Sequence, residues 1–448
     1  MISDGTIYAL SSGSGRAGIA VIRVSGPDCE RACMRLAGGR PEARKFVVRT
    51  LRDPVRGDVI DQAGVLWLPG PGSATGEDMC EFHVHGSRAV ISALLRALGE
   101  AEGLRLAVGG EFARRAFLNG KLDLVAVEGL GDLLDARSDS QRLLALSQML
   151  GWASDRIETW RSRLIGALGR LDAALEFSDD DDVARISVGK VDDVVEGIAE
   201  EMQSALVASE RAESVRAGVS IILAGLPNTG KSSLLNAIAH RDAAIVSPIA
   251  GTTRDVIEVQ VDLDGVAVVV SDTAGLRHES GDDIEALGIG RTRQRLKSAD
   301  LVVWVASNDV EGSEVVESGI VPSIRVRNKC DLRFGTSSGR DLAGHGGDVL
   351  LVSAQTGDGL AELLARLSDL AKNLVGRVED IVVVRERQRQ ALAESIRHLN
   401  DCVLRDARLV ELKVADLRFA ANALGRITGR IDVEDWLDSI FREFCIGK

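Results

Sequence analysis

Gly225-Leu-Pro-Asn-Thr-Gly-Lys-Ser-Ser233 is the stretch that decides the fold. It fits the pattern G-x-x-x-x-G-K-[ST] of a loop whose backbone N–H groups hold nucleotide phosphates. The apolar run 219–224 before it is typical of a buried strand, and the run 234–238 after it is typical of a helix start. The sequence therefore predicts a phosphate-binding loop at the positive end of a helix. A chance glycine-rich turn is the alternative, and the flanking strand and helix argue against it.

Three side chains around this loop are expected to serve the phosphates and their metal ion. Lys231 would reach the β- and γ-phosphates, and the Ser232 hydroxyl would bind Mg²⁺. Asp272-Thr-Ala-Gly275 follows the apolar run 268–271. An Asp in that place holds Mg²⁺, usually through water, and the glycine lets the backbone approach the γ-phosphate.

Two later motifs indicate which base is bound. Asn328-Lys-Cys-Asp331 and Val352-Ser-Ala-Gln355 each follow an apolar run. The Asp331 carboxylate can accept hydrogen bonds from guanine N1–H and its exocyclic amine, which adenine does not offer as a pair. The second motif would bring a backbone N–H to guanine O6. Each tetrapeptide alone is a weak signal, but the ordered set predicts a Ras-like, P-loop GTP-binding domain with a parallel sheet.

The catalytic device is expected to differ from that of Ras. Gly251-Thr-Thr-Arg-Asp255 lies where a switch loop is expected, and the Thr253 hydroxyl would complete the Mg²⁺ shell when a γ-phosphate is present. Leu276 stands where Ras-like enzymes have the glutamine that orients water, so another group must do this. The Asn228 amide oxygen could hold a potassium ion in place of an arginine finger. The alternative is that Asn228 only stabilises the loop.

Composition limits the class of protein. The 448 residues are 45% hydrophobic and 27% charged, which is typical of a globular protein of about three domains. The net charge of −13 argues against non-specific coating of nucleic acid, and 3% aromatic residues give little sign of a base-stacking platform. The six cysteines form no C-x-x-C or zinc spacing. With no secretory signal and no membrane-span pattern, we expect a cytoplasmic protein.

The chain divides by pattern into four ranges. Residues 1–118 read as an α+β domain, 119–215 as long helices, 216–375 as alternating strands and helices, and 376–448 as helices again. Neither set of helices has partners in its own range. We therefore expect a multidomain fold in which the two sets form one α-helical domain and the α/β GTPase domain is inserted between them.

The sequence resembles the MnmE (TrmE) family of tRNA-modification GTPases nearly end to end. The marks of this resemblance, besides the phosphate loop, are 75–78, 117–124, 249–255, 272–277 and the tail Phe444-Cys-Ile-Gly-Lys448. The resemblance implies an N-terminal domain that binds 5-formyl- or methylene-tetrahydrofolate and forms a homodimer. It also implies potassium-dependent dimerisation of the GTPase domains, which drives GTP hydrolysis. With the FAD protein MnmG, in a heterotetramer or larger complex, the family adds an aminomethyl or carboxymethylaminomethyl group to C5 of the wobble uridine of certain tRNAs.

The resemblance also implies site residues. Ser232 and Thr253 would hold Mg²⁺, and Glu285 would orient water. Potassium would be surrounded by Asn228, Ser247, Ile249 and Thr252. Folate would contact Arg23, Glu81, Lys121 and Lys448. The full nucleotide-binding set is Asn228, Thr229, Gly230, Lys231, Ser232, Ser233, Ser247, Pro248, Ile249, Ala250, Gly251, Thr252, Thr253, Asp272, Thr273, Ala274, Gly275, Asn328, Lys329, Asp331, Ser353 and Ala354.

Some of these positions carry alternatives. The four folate residues taken singly would read as surface charges. Ser247 replaces the family's usual threonine, which removes a methyl group that stiffens the loop, and Pro248 removes an N–H. The family resemblance implies that Cys445 is a functional thiol near the folate site. The alternative is that Cys445 packs as a small apolar residue.

Two other functions compete. One is a GTP-gated RNA-binding switch like the Era- or Der-like GTPases, against which the helical C-terminal range argues. The other is a GTP-dependent scaffold with little turnover.

Overall fold

The chain, seen in a computed structural model, forms two compact units. Unit 1 comprises Met1–Gly131, Gln148–Val195 and Arg397–Lys448, and unit 2 comprises Asp132–Ser147 and Glu196–Ile396. Only the backbone is described at 174–176 and 181–189. The residues that the structure describes are 5–13, 15–176, 181–240, 258–272, 295–296, 298–307, 309–316, 320–332, 349–431, 437, 440–441 and 444–448.

Unit 1 contains a six-stranded sheet in the order β3-β4-β5-β2-β1-β6. Neighbouring strands are antiparallel except β1 and β6. Along β2, Ala20, Ile22 and Val24 are buried at two-residue spacing, so Arg23 lies on the opposite face of the sheet. The strands are β1 Thr6–Leu10, β2 Ala17–Ser25, β3 Phe46–Arg52, β4 Val59–Leu68, β5 Met79–Gly86 and β6 Leu104–Leu106.

Helices complete both units, and four of the helices that the structure describes contain residues of both units. Residues of α1 and α2 share one buried cluster with the sheet, and α12 packs against α6, which agrees with the predicted pairing of early and late helices. The helices are α1 Cys29–Ala37, α2 Arg88–Gly99, α3 Glu111–Leu118, α4 Leu124–Asp135, α5 Asp139–Met149, α6 Trp152–Glu176, α7 Asp181–Ala208, α8 Ala212–Ala217, α9 Lys231–His240, α10 Leu360–Val375, α11 Glu386–Leu404 and α12 Val410–Thr428.

A buried lysine joins three helices of the helical region. Lys413 on α12 is fully buried. Its Nζ donates to Asp192 Oδ1 at 2.8 Å and Oδ2 at 3.0 Å, and to Cys402 O at 2.7 Å. Because a buried ammonium without a counter-ion is costly, Asp192 compensates the charge that α12 brings into the interior.

We expect Asp192→Ala to lower the free energy of unfolding by about 3–5 kcal/mol, because the Lys413 charge would stay buried without its carboxylate. The measurement is the midpoint of urea unfolding followed by helical circular dichroism. The double variant Asp192→Ala/Lys413→Met removes the charge itself and should regain most of the loss. A midpoint for Asp192→Ala equal to that of the wild type would contradict this account.

Unit 2 contains a second six-stranded sheet, in the order β12-β11-β10-β7-β9-β8. All neighbours are parallel except β8 and β9. Every residue of β10 is buried, as expected for a strand covered on both faces. The predicted fold class is confirmed. The strands are β7 Val219–Ala224, β8 Glu258–Leu263, β9 Val266–Asp272, β10 Leu301–Ser307, β11 Ile324–Asn328 and β12 Val349–Leu351.

The turn between β8 and β9 is held from two sides. The Ser140 N–H on α5 donates to Gly265 O at 2.9 Å. Asp264 Oδ2 accepts from Ser368 Oγ at 2.9 Å and from Lys372 Nζ at 3.1 Å on α10. Leu144 of α5 belongs to the buried cluster of this sheet. The helix α5 is therefore part of the packing of unit 2.

The domain boundaries near 118, 215 and 375 stay predictions. The compact units group 132–147, 196–215 and 376–396 with the second sheet. Among the described residues, no helix is both long and apolar enough to cross a membrane.

Candidate functional site

The phosphate loop of unit 2 joins β7 to α9, as predicted. Gly225 has φ +142°, and a Cβ there would lie 2.2 Å from Val305 O. Gly230 has φ +86°, and a Cβ there would lie 2.3 Å from Asn328 Nδ2. Both positions therefore need glycine, because the loop approaches neighbouring groups too closely for a side chain.

The side chains of the loop make its own internal hydrogen bonds. Lys231, nearly buried, donates from Nζ to Gly225 O at 3.1 Å and to Leu226 O at 2.9 Å. Thr229 is fully buried, and its Oγ1 donates to Leu226 O at 2.9 Å. Ser233 is exposed in the first turn of α9. These bonds fix the curvature of the loop, so that its N–H groups can face one anion.

Ser232 and Asp272 meet at the N-terminus of α9. Ser232 Oγ donates to Asp272 Oδ2 at 2.5 Å, and Asp272 is 4% exposed at the end of β9. Hydroxyl and carboxylate oxygens are the ligands that Mg²⁺ prefers. The two groups therefore fit the predicted metal position.

Asn328 joins three of the predicted motifs. Its Nδ2 donates to Thr229 O at 3.1 Å and to Gly230 O at 3.3 Å, while its Oδ1 accepts from the Ala354 N–H at 3.1 Å. Asn328 is 1% exposed. The motif 352–355 was expected to bring a backbone N–H to guanine O6, and its Ala354 N–H here donates to Asn328. The phosphate loop and the two base motifs are thus one hydrogen-bonded assembly.

The remaining base residues surround that assembly. Ser353 is fully buried, and its Oγ accepts from the Thr356 N–H at 3.1 Å. Lys329 donates from Nζ to Asn228 O at 2.8 Å. Asp331 is exposed, which leaves its carboxylate accessible to a base.

Several predicted positions lie outside the described residues. Asn228 is the one potassium position that the described ranges include, and it is exposed with φ +64°. The predicted positions outside are Ser247, Pro248, Ile249, Ala250, Gly251, Thr252, Thr253, Thr273, Ala274, Gly275 and Glu285.

A second polar cluster lies on the sheet of unit 1. Arg23 on β2 pairs with Glu81 on β5, with Arg23 Nε 2.8 Å from Glu81 Oε1. His83 Nε2 lies 3.0 Å from Glu81 Oε2. Burial alone would raise the pKa of the Glu81 carboxyl, but hydrogen bonds from Arg23 and His83 outweigh it and hold that pKa below its ordinary value. The carboxylate is therefore ionised and held at both oxygens.

The C-terminal tail reaches this cluster. Ile446 forms a β-bridge with Gly109, and a Cβ at Gly447 would lie 2.1 Å from Leu10 O. Burial, followed by the positive charge of Arg23, lowers the pKa of the Lys448 ammonium. The cluster thus combines two cations and a carboxylate, which suits a folate that carries carboxylates and N–H donors.

The other two residues predicted for this site, Cys445 and Lys121, form hydrogen bonds through backbone atoms. Cys445 is exposed, and its backbone O accepts from the Gly110 N–H at 3.4 Å. Lys121 is also exposed, and its backbone N–H donates to Ala116 O at 2.7 Å.

His83 was missed from the sequence. The signal available was its two-residue spacing from Glu81 on a strand, which puts both side chains on one face. Phe46 of β3 packs edge-on against the His83 ring, with centroids 5.3 Å apart. His83 therefore links the carboxylate to the edge of the sheet.

The Glu81 contacts predict a pH dependence of stability. Because the folded-state pKa of Glu81 is depressed, its contribution is present above about pH 4.5 and is lost as the pH falls through the folded pKa. Glu81→Gln should melt about 2–4 °C below the wild type at pH 7, equivalent to ~1 kcal/mol. This difference should shrink toward pH 3. Thermal melts of both proteins at each pH test it, and a difference that grows in acid would contradict it.

Two family models match this chain. A model described as the MnmE helical domain matches residues 124–445, and one described as the GTP-binding protein TrmE N-terminus matches residues 6–121. The chain belongs to the MnmE family.

Curated MnmE relatives match along nearly their whole length. The tRNA modification GTPase MnmE of Methylobacterium sp. (strain 4-46) is 47% identical, covering 99% of both chains. That of Bradyrhizobium sp. (strain ORS 278) is 46% identical over 99% of both. That of Methylorubrum populi is 47% identical over 100% of this chain and 99% of its own. The predicted enzyme class, a GTP hydrolase of tRNA modification, agrees with this membership.

A solved structure is also similar to part of this MnmE-family chain. It is the G domain of the T. maritima FeoB iron transporter, which is 27% identical and covers 34% of this chain and 98% of its own. Its TM-score of 0.24 is too low to define a fold.

Proposed function

We propose that this chain is a potassium-stimulated GTPase of tRNA wobble-uridine modification. It would act with the FAD protein MnmG to add an aminomethyl or carboxymethylaminomethyl group to C5 of that uridine in certain tRNAs. The observation that carries the proposal is the single hydrogen-bonded assembly of phosphate loop and base motifs in a chain of the MnmE family.

The described residues support the nucleotide part. Lys231 would hold a positive charge beside the β- and γ-phosphates, and Asp331 would accept from guanine. Ser232 and Thr253 would hold Mg²⁺, with Asp272 beside Ser232. Bound Mg²⁺ would neutralise charge on the phosphate oxygens.

Hydrolysis would depend on a neighbouring copy of the GTPase domain. Asn228, Ser247, Ile249 and Thr252 would hold potassium, which supplies the positive charge that an arginine finger supplies elsewhere. Glu285 would orient the attacking water. The other thirteen members of the nucleotide set predicted from the sequence would also contact GTP.

The cluster of unit 1 would bind the folate. Arg23, Glu81, Lys121 and Lys448 would contact 5-formyl- or methylene-tetrahydrofolate, which supplies the one-carbon unit. Cys445 would be a thiol close to that carbon. The chain would form a homodimer through its N-terminal domain and assemble with MnmG and tRNA in the cytoplasm.

Two measurements test the function. The GTPase rate of the full chain in KCl should exceed that in NaCl, and Glu285→Ala should remove most of it. Nucleoside analysis of tRNA from cells lacking the gene should show loss of the C5 substituent at the wobble uridine. Equal rates in the two salts, with full activity of Glu285→Ala, would refute the mechanism. Unchanged nucleosides would refute the tRNA role.

A further inference from the structure

A carboxylate that lies outside the predicted motifs contacts the guanine-motif lysine. Asp309 follows β10, and its Oδ2 lies 2.6 Å from Lys329 Nζ. The same Nζ donates to Asn228 O in the phosphate loop at 2.8 Å. One ammonium group therefore connects Asp309 to the phosphate loop.

The segment that carries Asp309 is anchored to β10. Ser307 Oγ donates to Asp309 Oδ1. Ser313 is fully buried, accepts from the Ser307 N–H at 3.0 Å and donates to Ser307 O at 2.9 Å. Trp304 Nε1 donates to Ser313 O at 2.9 Å. Hydrogen bonds therefore hold both the Asp309 side chain and the turn that carries it, and they direct the carboxylate toward Lys329.

The lysine and the phosphate-loop residue that it contacts both have unusual backbone conformations. Lys329 has φ +59° and Asn228 has φ +64°. Non-glycine residues adopt this region at an energetic cost, and they keep it where surrounding contacts hold them. Hydrogen bonds from Lys329, then from Ser307, hold the pKa of the Asp309 carboxyl below its ordinary value, so it is charged at neutral pH.

We propose that Asp309 is a positioning residue of the nucleotide site, which holds Lys329 against the Asn228 peptide. Through Lys329 it couples the base-binding side of the site to the loop that surrounds the phosphates. Because Asn228 is also a proposed potassium ligand, the potassium part of this inference rests on the proposed function. The expected effect on nucleotide affinity does not rest on the proposed potassium site.

The test uses the full chain and a fluorescent GTP analogue. Asp309→Asn keeps the shape of the side chain but removes its charge, and charge-assisted hydrogen bonds are about twice as strong as neutral ones. We expect about three- to tenfold weaker GTP binding. In the GTPase assay, the potassium concentration that gives half-maximal rate should rise as well.

The matched control is Asp264→Asn. Asp264 also pairs with a lysine and a serine, Lys372 and Ser368, in the turn between β8 and β9. The same charge change there should leave GTP affinity within about twofold of the wild type.

A double-mutant cycle separates positioning from general stability. If Asp309 acts through Lys329, then Asp309→Asn should have no further effect in a Lys329→Met background, since the two losses would not add. Lys329→Gln replaces Lys329→Met if the latter does not fold. Wild-type affinity in Asp309→Asn, or an equal loss in both backgrounds, would overturn the inference. If the wild type does not respond to potassium, the potassium proposal fails, and the affinity arm still decides the role of Asp309.

Discussion

Asp331→Asn is expected to weaken GTP binding by about 100-fold or more and to improve binding of xanthosine triphosphate. Guanine presents two donors to this position, and hydrogen bonds to a charged group contribute about 1.5–3 kcal/mol each. An asparagine replaces an acceptor with an amide N–H₂, which repels the exocyclic amine of guanine and suits the carbonyl oxygen of xanthine. The exposure of Asp331 at the end of the base motif is consistent with direct contact.

Competition between the two nucleotides measures this change. Asp369→Asn, an exposed aspartate on α10, is the control and should keep the wild-type preference. If Asp331→Asn bound GTP and xanthosine triphosphate as the wild type does, another group would have to read the base.

The second large effect is expected at the proposed Mg²⁺ position. Asp272→Asn should lower the maximal GTPase rate by about 100- to 1,000-fold, the usual cost of losing one preorganised electrostatic group. The Asn amide oxygen can still accept from Ser232 Oγ, so the local structure should persist. The carboxylate charge that is proposed to attract Mg²⁺ would be absent.

Rates measured across a magnesium titration test this expectation. The half-saturating Mg²⁺ concentration should rise in Asp272→Asn. It should not change in Asp262→Asn, because Asp262 Oδ1 accepts from the Gly265 N–H in the distal turn and an amide can do the same. A wild-type magnesium dependence in Asp272→Asn would place the metal elsewhere.

The sequence predicted the elements that carry strong local patterns. The strands β1, β2, β4, β5 and β7 were predicted from the apolar runs 6–10, 19–24, 64–69, 80–85 and 219–224, and the phosphate loop was predicted from its glycines. β3 was missed because most of its residues are exposed, and pairing with β4 stabilises it. β6 has three residues, which is too short for a periodic signal. The helix α1 was also missed.

The side-chain contacts were less predictable than the elements. The burial of Lys413 on α12 could not be predicted from neighbouring residues, because its partner Asp192 lies far away in sequence on another helix. Asp309 likewise gains its role from Lys329, which lies 20 residues away in sequence. Motifs fix short-range chemistry, whereas such pairs depend on how the elements pack.

The burial of Leu144 determines where this chain can be divided into fragments without damage to the core of unit 2. Leu144 is 4% exposed and shares a buried cluster with Val219 and Val266, although it lies far upstream of both in the sequence. A recombinant fragment cut at 216–375 would leave out α5 and admit water beside β7. Kinetic constants measured on such a fragment would then reflect an incompletely packed core as well as nucleotide chemistry. A cut that retains 132–147 through a linker would avoid this artefact.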